Sequence, residues 1–441
     1  MVTIKKKNKN NKTSMKDWEK KFIFFNVLTI IIICSIYSYK LIHYYRLEHK
    51  QSFLTTNNLY ETLKNRPITY NNSGLYKIDN NYYYKGNVTD NYLYYSARLW
   101  RIISFNDNGI KLISEDNQTS MVWATENDYQ NSYIYNWLNI TDNEHSGIFL
   151  NSLNNYTNYL IKYPWCIDIV TKDNQTCNDK INDYVGLISV EEYLKAGGIE
   201  SYLNNNNYFW TINASKNNVW YIFDKGGIND DIKDDTGYHS YGIRPSIVLN
   251  INTPLYKGDG TKDNPYIVEN DTSVVLNHKS IGSYIKYNDY LFRITEKNND
   301  YIKLNIANYL EDSKVNYNDI NNYLNNVFLN KLEKDNLVKC NFYGGIYNKD
   351  NNYDYKNIYN KNEYSYIGLP SITELFITDN SDIWINNHSN NSLVYTTNTL
   401  GRLFLDNKDS LHYLKPSICI KSNITITSGS GTSTDPYLLE E

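Results

Sequence analysis

Residues able to do covalent or metal chemistry are sparse in this chain. Its five cysteines are Cys34, Cys166, Cys177, Cys340 and Cys419, and seven histidines are scattered among them. A catalytic thiol needs a base and a setting that favours the thiolate, and no spacing brings His145 or His239 to Cys166. No His-Glu-x-x-His, Cys-x-x-Cys or EF-hand pattern occurs, no glycine-rich loop opens a helix to cradle a phosphate, and no Gly-x-Ser-x-Gly elbow is present. The acidic group Asp230, Asp231, Asp234 and Asp235 before Gly237 offers oxygens to calcium, but a solvated loop is the preferred reading. The expectation is a protein with no catalytic constellation, no metal site and no cofactor.

Cys166 and Cys177 stand in a polar stretch running from Trp165 to Cys177. They are a candidate disulfide, which would add roughly 3 kcal/mol in the chain-entropy model, or else two free thiols. Cys419 has only Cys340 left as a mate, and a buried free thiol there is the preferred alternative. Arg101, Arg293 and Arg244 adjoin apolar, strand-like residues. A guanidinium fork suits an anionic or sugar group, while internal pairing with a carboxylate is the plainer reading. Tyr208-Phe209-Trp210-Thr211 and Trp220-Tyr221 would serve either as a stacking face for a sugar or as core. Trp210, Trp220 and Arg244 are the candidate ligand contacts.

These residues sit in an internal repeat. Leu99-Trp100-Arg101-Ile102 matches Leu291-Phe292-Arg293-Ile294, and Ile110-Lys111-Leu112 matches Ile302-Lys303-Leu304 at the same offset. Each pair flanks an Asn/Asp-rich turn, at 106–109 and 298–300, which predicts a β-hairpin. Ile134, Trp137 and Leu138 follow at the spacing of one helix face, as do Ile320, Tyr323 and Leu324. A second helix is predicted after Gly186-Leu187-Ile188-Ser189 and after Gly368-Leu369-Pro370-Ser371. Ser189 with Glu192, and Ser371 with Glu374, form capping-box patterns. Both copies close alike, with Arg244-Pro245-Ser246-Ile247 against Lys415-Pro416-Ser417-Ile418, then Gly258-Asp259-Gly260 against Gly429-Ser430-Gly431. The modules span 73–268 and 269–441, and the class is α+β.

The chain has 441 residues and a net charge of −4, from 44 Lys+Arg against 48 Asp+Glu. That balance excludes a generally basic, nucleic-acid-binding surface, so no nucleic-acid partner is expected. Forty-five tyrosines and eight tryptophans argue against wholesale disorder. Residues 22–39 form an uncharged run that includes Ile30, Ile31, Ile32 and Ile33. Such a run suits a transmembrane helix of about 20 residues, placed at 22–42 and spanning the lipid bilayer. Eight lysines precede it, so the positive-inside rule leaves a cytoplasmic basic tail at 1–21. A stalk at 43–72 and an extracellular remainder complete a single-pass plasma-membrane protein held by an uncleaved signal anchor.

The early Leu-Trp-Arg-Ile, the helix carrying Trp137-Leu138-Asn139 and the late Gly242-Ile243-Arg244-Pro245 strand resemble a family of bacterial surface domains. That family is similar to the C-type-lectin-like and formylglycine-generating-enzyme-like fold, which implies an antiparallel sheet with two helices in each module. The second copy departs from the pattern, with Phe292 for Trp100, Tyr323 for Trp137 and Lys415 for Arg244. The thiol pair of the formylglycine-generating enzymes has no counterpart near the end of either module, and the Glu-Pro-Asn and Trp-Asn-Asp motifs of calcium-dependent lectins are missing. The resemblance therefore implies non-catalytic binding of a glycan, cell-wall or protein ligand. A structural or spacer role is the alternative, and an enzyme ranks third.

Overall fold

The computed structural model describes residues 25–30, 34–38, 40, 57–124, 128–141, 146–231, 240–348, 361–377, 382–400 and 402–440. It is mostly β, with 40% strand and 16% helix, which corrects the α+β class. The membrane anchor is corrected too. Residues 25–30 and 34–38 are helical. No helix among the described residues is long and apolar enough to cross a membrane. The remainder of 22–42 lies outside the described residues. The transmembrane keywords and the single-pass plasma-membrane localisation therefore fall with the span. The basic tail at 1–21 also lies outside the described residues.

Both predicted hairpins form. Strand Arg98–Asn106 turns through Asp107 and Asn108 into Gly109–Ser114, and Tyr290–Lys297 turns into Tyr301–Ile306. From each hairpin the sheet is built in the same order. In the first copy, Val185–Leu187 pairs with Pro245–Leu249, which pairs with Gly109–Ser114, Arg98–Asn106 and then Tyr92–Tyr95; Tyr266–Ile267 is added in parallel. The second copy repeats this with Ile367–Gly368, Ser417–Lys421, the hairpin, Tyr284–Tyr287 and a parallel Tyr437–Leu439. A bulge interrupts the register between Ile102 and Ser104, and another between Ile294 and Glu296. Gly258 and Gly429 hold φ of +101° and +97°, as the turn before the last strand requires in each copy.

A second, smaller sheet lies beside each hairpin sheet. Phe209–Ala214 sits between Tyr241–Ile243, its parallel neighbour, and Val219–Ile222. The second copy repeats the parallel contact as a bridge from Ile383 to Tyr413. An aromatic strand crosses each main sheet, and glycine makes the crossing possible. A Cβ on Gly186 would overlap the Trp165 ring, and one on Gly368 would overlap Phe342. Both cysteine pairs are bonded beside these crossings. Cys166 and Cys177 have Cα atoms 5.8 Å apart, and Cys340 and Cys419 are 6.1 Å apart, so Cys419 is not the free thiol preferred from sequence.

The helices diverge. Tyr133–Leu138 and Val190–Lys195 are six-residue helices in the first copy, each with a serine N-cap, and the Ser189–Glu192 capping box is complete. In the second copy the first helix runs over Ile320–Asn322 and widens into a π-turn at Tyr323–Phe328. Among the described residues no second helix follows Ser371: residues 371–377 are bends and turns. Ser371 N–H still donates to Glu374 Oε1 at 3.4 Å, but the chain then docks on the first copy. Phe376 N–H donates to Gln118 O at 2.6 Å, and Trp137 Nε1 donates to Thr373 O at 2.8 Å. Phe376 adopts φ +66°. Long-range pairing has overridden a local helix signal.

This docking merges the cores. The larger cluster runs from Leu59, Trp100 and Trp137 of the first copy to Ile372, Phe376, Tyr395 and Leu403 of the second. A smaller one, around Phe292, Leu304, Phe328 and Ile418, belongs to the second copy alone. The Phe376 ring lies 3.5 Å from the Arg293 guanidinium and 5.0 Å from that of Arg98. Burial, reinforced by Arg293, pushes the Arg98 pKa down to about 9. Arg98 keeps its place by donating to Gln118 Oε1, Ser96 O, Ser152 Oγ and Ile281 O. The later part of the expected stalk is also folded: helix Leu59–Lys64 buries Leu59 and Leu63, and Leu59 N–H bonds Thr253 O at 3.0 Å.

Gly186→Ala and Gly368→Ala are expected to destabilise the protein by about 1–3 kcal/mol each, because each forces an aromatic ring off its seat. Urea unfolding measures this. A neutral result at Gly368 would remove the structural equivalence of the two crossings.

Candidate functional site

The same arrangement of charge recurs above the two hairpins. Lys111 and Lys303 stand at matching positions of their strands, opposite Ser104 and Glu296 just past the bulges. Both are buried, at 5% and 1% exposure. A buried ammonium needs a carboxylate, and in each copy the capping-box glutamate supplies one. Lys111 Nζ pairs closely with Glu192 Oε1, while the other oxygen of Glu192 accepts from Ser189 N–H at 3.0 Å. Lys303 Nζ lies 3.0 Å from Glu296 Oε2 and 3.8 Å from Glu374 Oε1. The crossing aromatics cover both cations: Trp165 and Tyr163 lie 4.4 and 4.6 Å from Lys111, and Phe342 lies 5.3 Å from Lys303.

A cleft opens over each pair. The first, about 270 Å³, is walled by Tyr82, Tyr83 and Tyr84 on one side and by Tyr163, Trp165 and the Cys166–Cys177 bridge on the other. Tyr83 and Tyr163 are half-buried, and Lys180, Glu191 and Lys195 are exposed around them. Lys195 rests its ammonium 4.5 Å from the Tyr83 ring, and Tyr76 stacks on Tyr83 at 5.5 Å. The second cleft, about 360 Å³, has Lys303, Glu296, Thr295, Glu374 and Tyr343 from the second copy, faced by Ile148, Asn151 and Ser152 from the first.

The electrostatics of the second pair are unbalanced. Burial pushes Lys303 toward its neutral form, but Glu374 and Glu296 more than offset this and hold its pKa above the ordinary lysine value of 10.5. Burial dominates at Glu374 and raises its pKa, opposed by Lys303. Glu296 holds Lys303 Nζ at 3.0 Å, whereas Glu374 Oε2 has no donor among the described residues.

The candidate contacts chosen from sequence lie elsewhere, inside the protein. Trp210 is fully buried and donates to Met121 O at 2.9 Å; Trp220 is 7% exposed and donates to Val170 O at 3.0 Å. Arg244 is fully buried, donates to Ser114 O at 2.7 Å and to Leu203 O, and lies 3.7 Å from Glu115 Oε2. Burial lowers its pKa, with Glu115 opposing. Arg101 approaches the same carboxylate at 3.8 Å and bonds Asn91 Oδ1 at 2.8 Å. Arg293 bonds Gly282 O at 2.9 Å. The structure does not bring Trp210, Trp220 and Arg244 together at a cleft. Asp230 and Asp231 lie on the Ile228–Asp231 strand, whereas Asp234 and Asp235 fall outside the described residues. Among the described residues no His/Cys/Asp/Glu group could hold a metal ion.

In the sequence Lys111 and Lys303 were visible only as alignment marks, and Glu192 and Glu374 only as capping-box residues. A lysine between two apolar residues of a strand, repeated in both copies, was the signal that pointed to a buried cation. Lys303→Met is expected to cost about 3–5 kcal/mol, because it strands two carboxylates. The double variant Lys303→Met/Glu374→Met should recover part of this in a chemical-denaturation cycle. Because the folded pKa of Lys303 is raised, its contribution is fully present below pH 10.5 and fades only as pH rises through the folded value. Comparison of the chain with protein-family models, curated proteins and solved structures finds no match.

Proposed function

We propose that this protein is a non-catalytic glycan-binding protein built from two C-type-lectin-like modules. The observation that carries the reading is the first cleft, where the half-buried rings of Tyr83 and Tyr163 stand beside the buried Lys111–Glu192 pair. A sugar presents apolar C–H faces and hydroxyls on one small ring. The tyrosines suit the faces, and the exposed Lys180, Glu191 and Lys195 around the rim suit the hydroxyls, which both donate and accept. A volume of about 270 Å³ fits one or two sugar rings better than a polymer or a folded partner. The paired charges of Lys111 and Glu192 neutralise each other, which favours a neutral ligand.

The test is saturation-transfer NMR on the full chain with glucose, galactose, mannose, N-acetylglucosamine and chitobiose. At least one should bind, and Tyr83→Ala should weaken it by about five- to tenfold, the worth of a stacking contact. Binding of none of the five, or binding indifferent to Tyr83→Ala, would overturn the reading and favour a spacer role.

A further inference from the structure

The clefts are equivalent in position but not in saturation. In the first, Glu192 places one oxygen on Lys111 and the other on Ser189 N–H, so the protein satisfies both. In the second, Glu374 reaches Ser371 N–H only at 3.4 Å with Oε1, and Oε2 is left without a donor among the described residues. Lys303, 1% exposed, lies 3.0 Å from Glu296 Oε2 and 3.8 Å from Glu374 Oε1, and the three donors of its ammonium are more than these contacts use. Unmet buried donors and acceptors cost free energy. Here an unmet acceptor, Glu374 Oε2, lies beside an ammonium with donors to spare, and both residues line the same cleft.

We infer that the cleft between the two copies is a second saccharide site, in which neighbouring hydroxyls of a neutral sugar bridge Lys303 Nζ and Glu374 Oε2. One hydroxyl donates its proton to Glu374 Oε2, and the adjacent oxygen accepts from Lys303. A free anion is disfavoured because Glu296 and Glu374 already surround the ammonium, and a free cation is disfavoured by Lys303 itself. A neutral group that donates and accepts at the spacing of adjacent hydroxyls answers both atoms at once. Ile148 gives the sugar an apolar wall, and Thr295 and Asn151 add polar edges. The walls come from both copies, so this site exists only when the copies are docked. The inference rests on the glycan reading but on different residues.

The experiment counts sites on the full chain with the same five saccharides by titration NMR. Two binding events are expected for at least one sugar. Asn151→Trp, at an exposed position on the rim, should abolish the second event and spare the first. Glu374→Gln keeps the shape but loses the charge, and should weaken the second event about tenfold or more. Tyr83→Ala should affect only the first. A single event lost in Tyr83→Ala and untouched by Asn151→Trp overturns the second site and leaves the glycan reading standing. A single event with the reverse pattern supports the second site and overturns the first. Binding of none of the sugars overturns both.

Discussion

An ammonium ion held out of water must keep a carboxylate within reach, and much of each copy is arranged around meeting that need. A bulge in the neighbouring strand sets Ser104 opposite Lys111 and Glu296 opposite Lys303. The carboxylate comes from the capping position after the Gly-Leu-x-Ser stretch, which the edge strand delivers above the lysine. The edge strand in turn carries the glycine that lets an aromatic strand cross and roof the cation. Bulge, capping turn, glycine and aromatic thus form one dependent set, which explains why all four recur together.

The copies solve the problem differently. The first has Ser104 opposite its lysine and relies on Glu192 alone, held by a complete capping box at the start of a real helix. The second has Glu296 opposite its lysine, so two carboxylates share one cation. With Glu296 present, Glu374 no longer has to be fixed by a helix, and residues 371–377 are free to serve as the docking segment. The price of that freedom is a carboxylate oxygen left unmet.

Much of the repeat was legible because its signals are local. The hairpins follow from Asn/Asp turns between apolar strands, and the helix at 133–138 from the one apolar face of Ile134, Trp137 and Leu138. The capping-box glutamates were recognised, but only as helix starts. At Ser371 the pattern forecast a helix that Gln118 and Trp137, more than two hundred residues away in sequence, prevent. Nothing local encodes such a pairing. Trp210, Trp220 and Arg244 were attractive for their chemistry, but side-chain type does not tell which face of a strand is covered, and all three are inside. The apolar run at 22–39 met a requirement of composition, but no helix among the described residues is long and apolar enough to cross a bilayer.

Trp137 and Tyr323 occupy matching places, yet their fates differ. Trp137 is fully buried with Thr373 O on its indole nitrogen, while Tyr323 turns its hydroxyl to Asp312, beside the exposed Lys331–Asp312 pair. The pair therefore has a polarity, like a plug and its socket. Separated, the first copy would show water the tryptophan face that the second now covers. The second copy would expose Ile372, Leu375, Phe376 and Ile377, all buried where they stand. The substitution of tryptophan by tyrosine records which of the two faces was left to meet solvent. Such a duplication shares one core across its two copies, and either half alone would leave an apolar face to water.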